Sequence, residues 1–335
     1  MLFLAGDIGG TKTSLALVEA GAIVRRKTYT SAQFPSLNAL VGAFLDLRER
    51  RQTRACLGIA GPVIDDVCRA TNLPWVIEAR ALERELRLRQ VKLVNDFHAL
   101  AVGISELPSS DFQPLNDAPS DSRGPWVVIG AGTGLGQAVL VRGKSGLEVI
   151  ASEGGHADFA PRTELEVELL RYLQLRHGHV SWERVVSGPG LVMLYEFLSS
   201  RSPSEKSPQV LEEIERSPDG AAATISRHAL KGDDPLCARA LDLFVSLYAA
   251  EAGNLALKVL APGGVYVAGG IAPKILPKLI DGSFMKRFLD KGRMSTILER
   301  MPVKVVLNPD AGLLGAAAIA TGMRAKARSR RRSVR

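Results

Sequence analysis

Asp7 stands two residues ahead of a glycine turn in "LAGDIGGTKTSLALV", where Gly9, Gly10, Thr11 and Lys12 follow in a row. A second cluster, "IGAGTGLGQAVLV", carries Gly132, Thr133 and Gly134. Glycine-rich tips let backbone N–H groups approach an anion closely. Ordinary hairpin turns favour glycine too, so one such tip says little. Two of them, with Thr11, Lys12 and Thr133 at the tips, point to phosphate. An acid beside a phosphate repels it unless a cation lies between. Mg2+ takes one or two carboxylates, phosphate oxygens and waters, which makes Asp7 the candidate metal residue, directly or through water. The plain alternative is an aspartate capping the turn.

Two better-known phosphate motifs fail. A Walker A loop requires glycine where Thr11 stands, and a helix where a strand pattern follows. A dinucleotide fingerprint counted from Gly130 and Gly132 requires its third glycine at Leu135, again ahead of a helix. Elsewhere, Asn95 and Asp96 end the buried-strand pattern "VKLVND". Asp96 reads equally as a rigidly held base or as half of an N-cap pair. Glu183 in "GHVSWERV" reads by itself as a surface charge. His156 in "SEGGHADF" has no second His or Cys at ligand spacing, which argues against a metal there. Gly269 and Gly270 in "VYVAGG" read as a helix-entry turn.

These residues need a scaffold. Leu2–Asp7 is a short apolar strand and Thr13–Val18 alternates. "IVRRKTYT", "ACLGIAGPV" and "VKLVND" supply further strands, and "SLNALVGAFLDLRER" a helix capped by Ser36. Pro108–Pro125, rich in Pro, Ser, Asp and Gly, reads as a boundary. The strand–glycine turn–strand plan then recurs, predicting two domains built alike. Helices are predicted near Glu164–His177, Gly190–Ser200, Ala221–Lys231 and Leu236–Leu260. "GVYVAGG" and "VKVVLN" read as strands, and "AGLLGAAAIATGM" as a small-residue helix.

The 335 residues suit two domains with a substantial core. The net charge is +8, but seven Lys or Arg lie in the closing "RAKARSRRRSVR", which leaves +1 for the body. The high pI therefore does not make the body a nucleic-acid binder. The tail, 324–335, reads as a disordered basic terminus, and any nucleic-acid contact is confined to it. Three scattered cysteines fit a reducing compartment. No stretch approaches ~18 uncharged apolar residues, and no leader pattern precedes the first strand. The expectation is a cytoplasmic protein without membrane contact.

Taken in order, "GDIGGTKTSLALV", "VNDFHALAVGI", "GAGTGLG", "SEGGHADFAP", "ERVVSGPGLVMLY" and "VYVAGGIAPKIL" resemble the bacterial glucokinase family, within the sugar kinase, actin and chaperone superfamily. The resemblance runs from Leu2 to Met323. It implies an α/β fold of two ribonuclease-H-like, actin-like domains with mixed five-stranded sheets around a deep cleft. The small domain would hold 1–106 with 309–323, and the large one 107–308. It implies ATP-dependent phosphorylation of the glucose 6-hydroxyl, with Mg2+ and a homodimeric assembly. Asp96 would be the base. Asn72, Asn95, Glu153, His156 and Glu183 would contact glucose, with Gly154 and Gly155 freeing the backbone to turn Glu153 and His156 inward. Asn72 is followed here by Leu73-Pro74 rather than polar residues. Gly9, Gly10, Thr11, Gly132, Thr133 and Gly134 would hold the phosphates, and Gly269 and Gly270 would leave room for the adenosine. The alternatives are a kinase of broader hexose range (mannose or amino sugars), a non-catalytic sugar-sensing regulator, and a filament-forming ATPase.

Overall fold

The opening hairpin of the computed structural model follows the alternation in its sequence. It pairs β1 (Leu2–Ile8) antiparallel with β2 (Lys12–Glu19), and β2 with β3 (Ala22–Thr30). The structure describes residues 2–70, 73–121, 123–143, 146–217 and 220–332. β4 (Thr53–Ile59) joins β1 in parallel, and three short strands follow as a separate antiparallel sheet: β5 (Val63–Ile64), β6 (Val67–Arg69) and β7 (Val76–Glu78). β8 (Gln90–Asn95) then lies parallel to β4, giving the order β3-β2-β1-β4-β8. Strands β1 and β4 are covered on both faces, so Leu4–Ala5 and Ala55–Leu57 run as unbroken apolar segments. The edge strand β3 is exposed and carries Arg25, Arg26 and Lys27, charges that discourage pairing with another chain.

The second sheet repeats this order. β10 (Trp126–Ala131) and β11 (Leu135–Gly143) form the hairpin, β12 (Gly146–Ser152) lies beside β11, and β13 (Gly264–Ala268) and β14 (Val303–Val306) follow in parallel. The sheet has six strands rather than the expected five. β9 (Phe112–Pro114), inside the stretch read as a boundary, pairs antiparallel with β14. The Phe112 ring packs edge-on against Tyr266 at 5.6 Å, and Pro114 is accommodated because it ends an edge strand.

The chain divides into two compact units, Met1–Ser109 with Val149–Ala151 and Asn308–Arg335, and Ser110–Glu148 with Ser152–Leu307. The second unit is cored by the helix Pro235–Val259, capped by Asp234, whose carboxylate accepts the Cys237 N–H at 2.7 Å. Among the described residues this is the one helix long and apolar enough to cross a membrane, which the sequence reading did not anticipate. Its apolar surface lies inside the unit.

In the first unit the helix Asp96–Ile104 crosses the helix Ala311–Arg332 at backbone contact. A methyl group added at Gly103 would fall 1.7 Å from the Ala311 carbonyl oxygen, and one at Gly315 would fall 1.8 Å from that of Ala99. The small-residue reading of this segment is thus met by a crossing that only glycine permits. The last helix runs on to Arg332, so the disordered tail expected from 324 is corrected that far. Ala, Lys and Arg are good helix formers, and nothing in "RAKARSRRR" interrupts the turn.

Candidate active site

In the first unit the hairpin tip is stapled from behind. Ser31 is fully buried, and its Oγ donates to the Gly9 carbonyl at 2.8 Å and shares a hydrogen bond with Thr13 Oγ1 at 3.0 Å. Its N–H donates to the Thr11 carbonyl, and the Gly9 N–H to that of Lys12, both at 3.0 Å. The Thr11 and Lys12 side chains remain exposed at the front. Ser31 was not singled out in the sequence; it falls just after the predicted third strand, where no local pattern marks it.

Asp7 sits on β1 between Ser14 and Gly58. Its carboxylate accepts no hydrogen bond and meets no cation among the described residues. A methyl added at Gly312 would lie 3.6 Å from its Oδ2. Burial, then the negative charge of Asp310, pushes its pKa above the ordinary aspartate value. Asp310 itself is bound by Arg26. A half-buried, desolvated carboxylate with no partner among the described residues fits a divalent cation. No group of three or more His, Cys, Asp or Glu among the described residues is placed to hold one. Such an ion would fill its shell from water and phosphate oxygens, which is the habit of Mg2+.

At the end of β8 the capping reading of the Asn95–Asp96 pair is met. Asn95 caps the next helix, its Oδ1 accepting from the N–H groups of Phe97 at 2.9 Å and His98 at 3.3 Å. Its Nδ2 donates to the Gly61 carbonyl at 3.2 Å. That leaves Asn95 one amide hydrogen to offer a ligand. Asp96 is the first helical residue, half-buried, with Oδ1 accepting the Phe97 N–H at 2.9 Å. The first turn of a helix favours a negative side chain, and the glycine-mediated crossing fixes the helix that carries it. Asn72 lies outside the described residues.

In the second unit Glu183 is a half-buried bridge, where the sequence read a surface charge. Its Oε2 accepts the Leu135 N–H at 2.9 Å, which ties it to the second glycine tip. Its Oε1 lies 3.9 Å from His156 Nδ1. The turn Gly154–His156 presses flat onto β11: a methyl at Gly155 would fall 2.0 Å from the Leu135 carbonyl oxygen. Glu153 precedes that turn, its side chain exposed and making no capping hydrogen bond. The Trp182 N–H donates to the Ala157 carbonyl at 3.0 Å, joining "SEGGHADF" to "VSWERV". The structure thus brings Glu183, His156 and the second hairpin tip together.

The tip itself is held by the start of the helix Gly188–Arg201. The Gly188 N–H donates to the Gly132 carbonyl, and the Gly132 N–H to that of Gly134, both at 2.8 Å. Ser187 caps the helix, accepting the Gly190 N–H at 3.0 Å and donating to the Glu183 carbonyl at 2.8 Å. The exposed Thr133 faces solvent. Gly269, at φ +82°, tucks under the hairpin end; a methyl there would fall 2.4 Å from the Ala131 carbonyl oxygen. Buried Tyr248 braces the same place, its hydroxyl 3.1 Å from the Ala131 N and the Ala268 carbonyl oxygen. Ser187 was not singled out in the sequence, although a serine just before Gly-Pro in "VVSGPG" is a helix-capping signal. Nor was Tyr248, since it reads as one more core residue of a long helix.

Backbone amides at two glycine tips, an unpaired carboxylate beside one of them, and carboxylates with an imidazole are the parts for holding a polyphosphate and a polyhydroxylated ligand. A family model described as Glucokinase matches residues 4–323. The glucokinase of Synechocystis sp. is 48% identical over 95% of this chain and 97% of that protein. The glucokinase of Nostoc punctiforme is 45% identical over 94% and 98%. Among solved structures, a glucokinase from an Antarctic psychrotroph superposes with a TM-score of 0.80 at 32% identity, covering 96% of this chain and 99% of that one. A ROK family glucokinase from Streptomyces griseus, in complex with glucose and AMPPNP, gives 0.65 at 25% identity, covering 96% and 100%.

Proposed function

The chain belongs to the glucokinase family, and from that premise we propose how its residues carry the reaction. It phosphorylates glucose at the 6-hydroxyl with ATP, giving glucose 6-phosphate and ADP. Its α/β fold with mixed sheets is that of the ROK glucokinases. In our reading the two units are actin-like domains, and the enzyme works in the cytoplasm as a homodimer.

Phosphoryl transfer needs positioning, charge neutralisation and an acceptor for the hydroxyl proton. Asp96 takes that proton as the 6-oxygen attacks the γ-phosphorus. Asn95, through its remaining amide hydrogen, and Glu153, His156 and Glu183 orient the sugar; Asn72 is assigned to the same set. The tips Gly9, Gly10, Thr11 and Gly132, Thr133, Gly134 hold the phosphates; the Gly9 and Gly132 N–H groups close the turns themselves, so the donors are the amides of the residues that follow them. Gly269 and Gly270 make room for the adenosine. Asp7 would hold Mg2+, directly or through water, and that ion supplies positive charge against the phosphates.

The observation that carries this reading is the placement of Asp96. Its carboxylate heads a helix locked by two glycine-mediated contacts, directly after a strand end, so its position is set by backbone. Asp96→Asn should lower kcat by on the order of 10²–10⁴-fold, the usual range for a general base. Calorimetry should find glucose affinity within a few-fold of wild type. A variant that turns over nearly as fast as wild type would remove Asp96 from the role.

A further inference from the structure

Gln137 faces inward from β11 and is almost fully buried. Its Nε2 donates to Glu251 Oε1 at 2.8 Å, which turns its amide oxygen the other way, toward the sugar turn. A methyl added at Gly154 would fall 2.2 Å from that oxygen. Glu251 is a carboxylate with no solvent exposure in the middle of the core helix. Its Oε2 accepts the Asn254 amide at 3.0 Å. Asn254 Oδ1 in turn accepts Lys291 Nζ at 2.6 Å, and Lys291 also donates to the Ala250 carbonyl at 2.9 Å. Burial, then the nearby Arg162 guanidinium, pulls the Lys291 pKa down to about 8. An unbroken polar chain thus runs from Lys291 through the core to the underside of Gly154.

Burying such groups stabilises a fold less than apolar residues of the same size would. What the chain provides is direction: each amide has one orientation that satisfies both neighbours. We propose that Gln137, oriented by Glu251, is a positioning residue for the Glu153–His156 turn, setting the height at which Glu153 and His156 meet the sugar. This rests on reading that turn as the glucose contact. Neither Gln137 nor Glu251 touches substrate in this account. A turn pressed between the Leu135 carbonyl and the Gln137 amide has no room to shift inward, and it loses its floor when the amide goes.

The test is steady-state kinetics on four full-length variants, with glucose affinity measured by calorimetry. Gln137→Met should raise the KM for glucose by on the order of tenfold, the scale expected of a small displacement of contact groups. The KM for ATP should stay within twofold and kcat within about threefold. Glu251→Gln keeps an oxygen to accept from Gln137 while setting its own NH2 against the Asn254 amide donor, so it should lower the melting temperature yet keep the glucose KM within about threefold of wild type. Gln137→Met leaves Glu251 underbonded and risks misfolding, so the double variant Gln137→Leu with Glu251→Leu, which removes both partners together, is measured beside it. It should fold and show the same glucose-selective loss. Wild-type glucose KM in the double variant, or equal losses for glucose and ATP, would overturn the proposal. His156→Ala reports separately on the underlying reading: unchanged glucose affinity there would overturn the sugar assignment itself.

Discussion

The two glycine hairpins share a plan and differ in what stands behind them. In the first, the residue two positions before the turn glycine Gly9 is Asp7. In the second, the residue two before Gly132 is Gly130. The first tip is stapled by one small hydroxyl, Ser31, and its acid has no partner among the described residues. The second is braced on every side, by Glu183, Ser187 and Tyr248. In the function proposed above the same backbone motif serves two chemistries: one hairpin would keep a charge available for a cation, and the other would offer backbone amides on a rigid mount.

The largest expected effect tests the charge. Asp7→Asn should raise the Mg2+ needed for half-maximal turnover by roughly 10- to 100-fold, the range seen when a metal's supporting group is lost. An unchanged metal titration would erase the distinction between the hairpins. The same variant should gain stability, because burying the unpaired carboxylate opposes folding. The folded-state pKa of Asp7 is raised, so its ionisation costs stability above that pKa and nothing below the ordinary value near 3.8. Melting temperatures without nucleotide should therefore favour the variant at neutral pH and converge as the pH falls below about 4.

The next effect concerns the mount. Gly269→Ala meets both a left-handed backbone and the Ala131 carbonyl, and should cost about 2 kcal/mol or more. Gly132→Ala, with open space at its Cβ and no positive φ, should melt as wild type does. Equal melting of the two variants would show that the second tip is not held from beneath.

The smallest effect compares the braces. Tyr248→Phe strands a buried amide and should cost about 1–2 kcal/mol. Ser31→Ala removes the partner of the buried Thr13 hydroxyl and of the Gly9 carbonyl and should cost about 1 kcal/mol. Denaturant midpoints would rank them, and a larger loss at Ser31 would reverse the picture of a lightly stapled first tip.

Much of this was written in local pattern. The hairpins, the parallel strands behind them and the helices at Glu164–His177 and Ala221–Lys231 follow from alternation, helical spacing and capping residues within a few positions of each other. β9 was hidden because a three-residue edge strand amid Pro and Ser has no periodicity; the Phe112–Tyr266 contact that secures it joins residues 154 positions apart. Glu183 was legible only through a likeness to known kinases, since its partner amide at Leu135 lies 48 positions away. Gln137 and Glu251 gave no signal, because a polar residue in a strand or helix announces solvent unless its distant partner is known.

The sequence by itself determined where backbone could bend and where it must be buried. Glycine, alternation and apolar runs act on immediate neighbours through sterics and solvation. Only the tertiary structure decided which acids are paired and which are left for ligands. Asp7 is a half-buried carboxylate and Glu251 a fully buried one, yet among the described residues the first accepts no hydrogen bond and the second accepts one at each oxygen. That difference depends on groups brought together from across the chain, and no short stretch of residues encodes it.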